Sequence, residues 1–292
     1  MDLRPFSEVL SRNEIVHRVS LSGDQQMIWV ANDADKQKVE TLFIAWRKGQ
    51  LEPVQKASPG GSTPENPVRV RLIHQLFYWL RACPVTLVLF LVSVLVFVVV
   101  MRFGDPRFYA MDWLSLLNLI PFEPAGGRIY FTSTLSGVLE NHQYWRLFTP
   151  MFIHFSALHI IFNLLWLWEL GRRIEIINGS FVLLLITLFA SALSTLAEHV
   201  AVGPALIGGM SGVVFALLGH CFVWSRKRPW SSMGLPPGIY IFMFIYLAVA
   251  FTGSLDFLAG GAIANWAHLA GLLTGMVTGW LTAEFQKENS IL

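Results

Sequence analysis

The chain has 292 residues, of which 54% are hydrophobic and only 14% charged, and its mean hydropathy is +0.54. These values are far from those of a soluble domain and indicate an α-helical protein that crosses a membrane several times. The net charge of +2, with no basic stripe interleaved with aromatic residues, argues against nucleic acid as a partner.

The N-terminal residues 1–56 predict a small cytoplasmic α+β domain. The segment HRVSLSGDQQMIWVAN, 17–32, is typical of two short strands around a Gly-Asp turn. The next segment, DADKQKVETLFIAWRKGQ, predicts an amphipathic helix with Asn32 or Asp33 as N-cap and Gly49 near its end. No group of residues in this domain indicates catalysis.

Residues 57–83 form a linker and a juxtamembrane segment, because ASPGGSTPENP at 57–67 is rich in Pro, Gly and Ser. Residues 84–284 then contain six stretches free of Asp, Glu, Lys and Arg. Each is about long enough to cross a hydrocarbon core of roughly 30 Å. The stretches are 84–101, 147–168, 176–197, 205–224, 238–255 and 262–283. The first lies too far from the N-terminus to be a cleaved signal peptide.

The positions of the basic residues predict the orientation of these six spans. Arg172 and Arg173 follow the second span, and a basic run at 226–228 follows the fourth, so both connections are expected in the cytoplasm. Both termini then also lie in the cytoplasm, and the long loop 103–146 lies outside. Both cysteines, Cys83 and Cys221, fall on the cytoplasmic side, where no disulfide is expected.

The run GGMSGVVFALLGH, 208–220, places a serine where a short membrane helix begins. Glycines and a proline at 203–209 disfavour helix before Ser211, so the helical part is predicted at 211–224, about 20 Å long. With its basic end at the cytoplasmic face, its N-terminus lies about 10 Å below the outer surface, facing a wet cavity. The unpaired N–H groups at such a terminus suit an oxyanion intermediate.

A serine nucleophile needs a positioned base, and His268 is the ionisable residue of the last span. Ser211 and His268 both lie about six residues into spans of the same direction, so they are expected at similar depth. Gly271 on one span and Gly212 on the other belong to small-residue stripes that allow close approach. Phe215, one turn after Ser211, is expected to stack on the imidazole.

The second span supplies further polar side chains. Pro150 and Ser156 predict that regular helix begins near residue 157, which places His159 in the first turn and Asn163 one turn below. These two side chains are expected to complete an oxyanion hole. His142 and His154 are interpreted as interfacial residues.

Other interpretations of the same residues exist. A lone G-x-S-G is most often a packing motif in a membrane helix, and a single histidine there has a structural role about as often as a functional one. A metalloprotease would need HExxH, which is absent, and an aspartyl protease would need paired aspartates, whereas Asp256 stands alone. A transporter using His159 and His268 as a proton relay would be expected to show an internal repeat, and none is evident.

Four motifs in order, WR at Trp145 and Arg146, HFSALHIIFN, GGMSGVVFALLG and AHLAGLLTG, resemble those of the rhomboid intramembrane serine proteases, more narrowly the bacterial GlpG type. The resemblance implies a six-helix rhomboid bundle in which Ser211 is the nucleophile and His268 its base. It implies an oxyanion hole made of His159, Asn163 and the backbone at Ser211.

The resemblance also implies supporting roles. Gly209 keeps the loop before Ser211 tight, Trp145 and Arg146 belong to the outer-loop structure, and 251–262 is a cap and gate with Gly253, Gly260 and Gly261 as hinges. Gly171 and Glu175 match the family's turn after the second span. Two positions depart from the pattern: Phe215 stands where tyrosine is frequent, and Trp266 replaces a smaller residue.

The expected activity is hydrolysis of peptide bonds in or beside transmembrane segments of membrane proteins, in the inner membrane of a bacterium. No cofactor and no metal are expected. The main competing interpretation is an inactive rhomboid relative that binds membrane helices, and such a protein should lack Ser211 or His268, which are both present.

Overall fold

The computed structural model describes residues 3–22, 25–30, 35–51, 79, 81–100, 111–231, 233–254, 256, 263–285 and 290–291. Most of the described chain is helical. The helices are α1 (Arg4–Arg12), α2 (Lys36–Arg47), α3 (Pro84–Val100), α4 (Met111–Leu117), α5 (Leu135–Glu140), α6 (Ala157–Trp166), α7 (Arg172–Asn178), α8 (Ser180–Val202), α9 (Ser211–Lys227), α10 (Pro237–Ala250) and α11 (Asn265–Phe285). The strands are β1 (His17–Ser22), β2 (Gln25–Val30), β3 (Phe122–Ala125), β4 (Arg128–Phe131) and β5 (Ser290–Ile291).

In the N-terminal part, β1 and β2 pair antiparallel and β5 pairs with the other edge of β2. The two predicted strands are therefore present, while the Gly-Asp turn between them lies outside the described residues. Helix α2 begins at Lys36, after Asp35 at the N-cap, and the predicted caps Asn32 and Asp33 are also outside the description. Helix α1 was not predicted from the sequence. It packs Phe6 against the aromatic residues of α2.

Each of the six predicted spans overlaps a helix. By length and composition alone, one described helix, α8, is long and apolar enough to cross a membrane, and α3 and α10 are shorter apolar helices. The number of spans therefore stays a prediction. Helix α6 begins after Ser156, as predicted, because the Ser156 hydroxyl accepts from the His159 N–H at 3.1 Å.

Helix α9 runs through the middle of the helical part, with most of its residues buried. It extends to Lys227, three residues beyond the predicted end at 224, and its 17 residues span about 25 Å. A contact at the C-terminal end of α9 explains why the helix continues past residue 224. Trp224 packs inward and its indole donates to the Ser231 carbonyl at 2.8 Å, so the last turn stays ordered up to the charged residues.

The loop predicted to lie outside, 103–146, contains local structure that the sequence did not predict. Strands β3 and β4 form a hairpin whose turn, Gly126 and Gly127, has positive φ at both residues (58° and 74°). That conformation belongs to a tight hairpin turn in which glycine is preferred. The Gly-Gly pair was the available signal, but four-residue strands give little periodicity.

Glu175 in α7 is a buried carboxylate that caps another helix. It accepts from the Val85 and Thr86 N–H groups at 2.8 Å, and from the hydroxyls of Thr86 and Ser180 at 2.7 Å. It therefore satisfies backbone donors at the start of α3 that have no partner within that helix. Beside this contact, burial and the Glu175 charge raise the pKa of the Cys83 thiol to about 12.

We expect Glu175→Gln to lower the free energy of unfolding by about 1–3 kcal/mol, because one oxygen that accepts hydrogen bonds becomes an NH₂ group facing donors. Thermal unfolding in detergent measures the loss. Glu140→Gln, at an exposed position at the end of α5, is the control and should change stability by less than about 0.5 kcal/mol. An equal midpoint for wild type and Glu175→Gln would contradict the capping role.

Candidate active site

Ser211 and His268 are in direct contact. The Ser211 Oγ and the His268 Nε2 are 2.7 Å apart, although the two residues are 57 positions apart in the chain. Ser211 is the first residue of α9, and His268 lies in the first turn of α11. The structure therefore brings together the serine and the histidine that the sequence analysis selected, each at the N-terminal end of its helix.

The His268 ring is held mainly by aromatic packing. Phe215 stacks on it, with ring centroids 4.8 Å apart and planes 29° apart, and Tyr246 lies 6.4 Å away. The Nδ1 atom is buried and has no hydrogen-bond partner among the described residues. Within the described part of the chain, therefore, no carboxylate orients the imidazole through its second nitrogen.

Close contact of backbones sets the distance between the two helices. A Cβ built on Gly271 would collide with the carbonyl oxygen of Gly212, and one on Gly275 would collide with that of Ala216. The predicted small-residue stripes thus face each other, as their spacing indicated. No larger side chain fits between α9 and α11 at these points.

The loop before Ser211 is equally tight. Gly209 has φ of 116°, and a Cβ there would lie 2.5 Å from the His159 Nε2. The Gly209 N–H donates to the Pro150 carbonyl at 3.2 Å, which ties this loop to the chain that leads into α6. Gly209 is therefore the residue that lets the His159 ring approach the loop before Ser211.

Asn163 lies one turn below His159 in α6 and is buried. Its side-chain NH₂ donates to the His159 carbonyl at 3.0 Å, within the same helix. The amide carries a second N–H, so this contact leaves one donor for another acceptor. His159 and Asn163 share a face of α6, as predicted.

His154 differs from its interpretation as an interfacial residue. The side chain is fully buried, its Nδ1 is 3.1 Å from the Phe152 carbonyl oxygen, and its ring centroid is 5.0 Å from that of His159. The chain turns inward here because residues 149–152 form a single tight helical turn before α6 begins. His142, in contrast, is exposed.

Arg146 organises the predicted outer loop. Its guanidinium is buried, donates to the Ser115 and Asn118 carbonyls at 2.5 and 2.8 Å, and so fixes the end of α4. Burial lowers the pKa of this guanidinium. Trp145 is half-exposed beside it. Both residues contact the outer-loop structure, where the sequence analysis placed them.

The segment after α10 is described only in part. Phe251 and Trp266 meet edge to face at 5.5 Å, and the Asn265 side chain donates to the Ala250 carbonyl at 2.9 Å. These contacts join the end of α10 to the start of α11. Gly260 and Gly261, two of the predicted hinges, lie outside the described residues.

Glu198 in α8 contacts the site and was not selected from the sequence. Its carboxylate accepts from the Ala267 N–H at 3.0 Å, next to His268 in the chain. The third predicted span, free of charged residues, ends at residue 197, so Glu198 lies just outside it. A carboxylate within an otherwise apolar stretch was the signal that was available.

Comparison with known proteins identifies the family. The Rhomboid domain model matches residues 141–285 and the Rhomboid N-terminal domain model matches residues 1–57. The proteins named Rhomboid protease GlpG from Salmonella schwarzengrund and Salmonella agona are each 33% identical over 258 residues, which covers 87% of this chain and 83% of the relative. The chain belongs to the rhomboid family.

Rhomboids are intramembrane serine proteases, and this chain is therefore an enzyme of that class. The matched Rhomboid domain contains all the candidate site residues, from Trp145 to Gly271. Among the described residues, no three His, Cys, Asp or Glu side chains converge as they would around a metal ion.

We expect Gly271→Ala to reduce both stability and activity, because its Cβ would push α11 away from the Gly212 carbonyl and so separate His268 from Ser211. Overpacking of this kind costs about 1–3 kcal/mol. The control is Gly238→Ala in α10, where a Cβ meets no atom within 4 Å. Unfolding midpoints and cleavage rates of the two variants provide the comparison, and wild-type values for Gly271→Ala would contradict the close packing.

Proposed function

We propose that the protein hydrolyses peptide bonds in or next to transmembrane segments of other membrane proteins, through a catalytic dyad of Ser211 and His268. The observation that carries the proposal is the 2.7 Å contact between the Ser211 Oγ and the His268 Nε2. It joins a hydroxyl at a helix N-terminus to a buried base, the arrangement that an activated serine needs.

The first half of the reaction forms an acyl-enzyme. The Ser211 Oγ attacks the scissile carbonyl carbon while the His268 Nε2 takes the hydroxyl proton, which requires the neutral ring to carry its own proton on Nδ1. The tetrahedral intermediate then collapses, the peptide C–N bond breaks, and His268 gives the proton to the leaving amine. In the second half, water attacks the ester with His268 as base, and Ser211 regains its proton.

The developing oxyanion would be bound by donors on two elements. The first N–H groups of α9 have no partner within the helix, and the helix dipole adds positive potential there. His159 lies beside the loop that leads to Ser211, and Asn163, on the same face of α6, has a second amide N–H beyond the one that donates to the His159 carbonyl. We assign these two side chains to the oxyanion hole.

The membrane topology belongs to the same proposal. Six spans within residues 84–284, a linker at 57–83 and a domain at 1–56 place both termini in the cytoplasm of a bacterium, with the protein in the inner membrane. With its basic end at the cytoplasmic face, α9 covers about 25 Å of a hydrocarbon core of roughly 30 Å. Ser211 then lies below the outer surface, where water and an unwound substrate segment meet.

The experiment that tests this function is cleavage of a single-pass model substrate by the purified protein in detergent. Ser211→Ala and His268→Ala should each lower kcat by about 1000-fold or more, because the nucleophile and its base act as one unit. His142→Ala removes an exposed histidine and should leave the rate unchanged. Equal cleavage by wild type and both dyad variants would assign the activity to another site.

We expect Asn163→Ala to lower kcat by about 100-fold, with little change in KM, because an oxyanion donor acts on the transition state. Asn141→Ala is a matched control, since the Asn141 side-chain NH₂ also donates to the carbonyl four residues earlier but is exposed in the outer loop. Steady-state kinetics on the same model substrate measure both effects. A loss confined to KM would remove Asn163 from the oxyanion hole.

A further inference from the structure

Helix α8 contacts both helices of the dyad from one face. Ser194 and Glu198 are one turn apart, and both are buried. A Cβ on Gly212 would lie 2.6 Å from the Ser194 Oγ, so Ser194 packs against the residue that follows Ser211. Glu198 reaches the backbone of the residue that precedes His268.

The start of α11 does not contain a capping side chain of its own. The residue before the helix is Ala264, and the first helical residue, Asn265, uses its side-chain NH₂ to donate to the Ala250 carbonyl. The first N–H groups of a helix have no partner within it. The Ala267 N–H instead donates to the Glu198 carboxylate at 3.0 Å, and this carboxylate has no ion-pair partner among the described residues.

From this arrangement we infer that Glu198 is a positioning residue for the reaction: its carboxylate caps the first turn of α11 from the neighbouring helix and thereby holds His268 at hydrogen-bond distance from Ser211. The inference rests on the proposed function of the dyad. Glu198 contacts neither the substrate nor the reacting atoms, and it acts through the backbone of α11.

The position of the His268 imidazole depends strongly on the backbone of α11. In a Ser-His-Asp triad, by contrast, a carboxylate also orients the imidazole through its Nδ1. The His268 Nδ1 has no partner among the described residues, so no side chain corrects the ring from that side. Phe215 restrains the tilt of the ring, but a stacked contact leaves sliding in the ring plane free. A displacement of the first turn of α11 therefore passes directly to the Nε2–Oγ distance.

Glu175 provides the comparison that separates positioning from stability. Both carboxylates are buried and both cap a helix from a neighbouring element. Glu175 caps α3, which contributes no residue to the dyad. A purely structural role of Glu198 would make the two behave alike.

The test measures kcat, KM and the unfolding midpoint of Glu198→Leu, Glu198→Gln and the matched Glu175→Leu, at a temperature where all are folded. Glu198→Leu should lower kcat about 10-fold to 100-fold with KM within about threefold, because a misplacement of about 1 Å costs this much. Glu198→Gln keeps an oxygen that accepts the Ala267 N–H and should stay within about threefold of wild type. Glu175→Leu should lose stability without loss of kcat.

A second measurement does not require a transmembrane substrate to enter the protein. The rate at which a small fluorophosphonate labels Ser211 reports the nucleophile and its base, and it should fall in Glu198→Leu by the same factor as kcat. Wild-type kcat and labelling in Glu198→Leu would overturn the inference, as would a loss in Glu198→Gln as large as that in Glu198→Leu. Ser211→Ala is measured in the same experiment. If Ser211→Ala still cleaves the substrate, the proposed dyad is wrong, and this result does not depend on the Glu198 variants.

Discussion

The contact of two helix backbones is the constraint on which the site depends. Gly212 of α9 and Gly271 of α11 leave no side chain between the helices, and Ala216 and Gly275 repeat the contact one turn further along. Side-chain hydrogen bonds have short reach, so the serine and the histidine meet only if their helices approach this closely. Small residues allow the two backbones to pack closely. In a lipid environment, van der Waals packing of this kind replaces the hydrophobic effect as the force that holds helices together.

Several polar side chains near that contact cap the N-terminal ends of helices. Ser156 caps α6, Glu175 caps α3 and Glu198 caps α11, each by accepting from backbone N–H groups that otherwise lack partners. An unsatisfied N–H in hydrocarbon costs several kcal/mol, so these side chains make it possible for helices to start inside the protein. The site needs such starts, because both Ser211 and His268 lie in the first turn of a helix.

Much of this was predictable from single residues with strong local rules. Glycines and a proline before Ser211 stop a helix, Ser156 starts one, and small residues four apart predict close packing. The residues that were missed depend on partners distant in the chain. Glu198 is recognised as a cap only when Ala267, 69 positions later, is placed beside it. His154 looked interfacial because its burial depends on a tight turn that no periodicity reveals, and the end of α9 depended on the inward packing of Trp224.

The distance along the chain between the proposed nucleophile and its proposed base has a consequence for biosynthesis. Ser211 leaves the ribosome 57 residues before His268. At about 5–20 residues per second, the serine spends roughly 3–11 s without a base. The last helix, α11, is also the one that completes the backbone contact with α9. With the proposed dyad, a nascent chain is thus unable to cleave neighbouring proteins until α11 has been made.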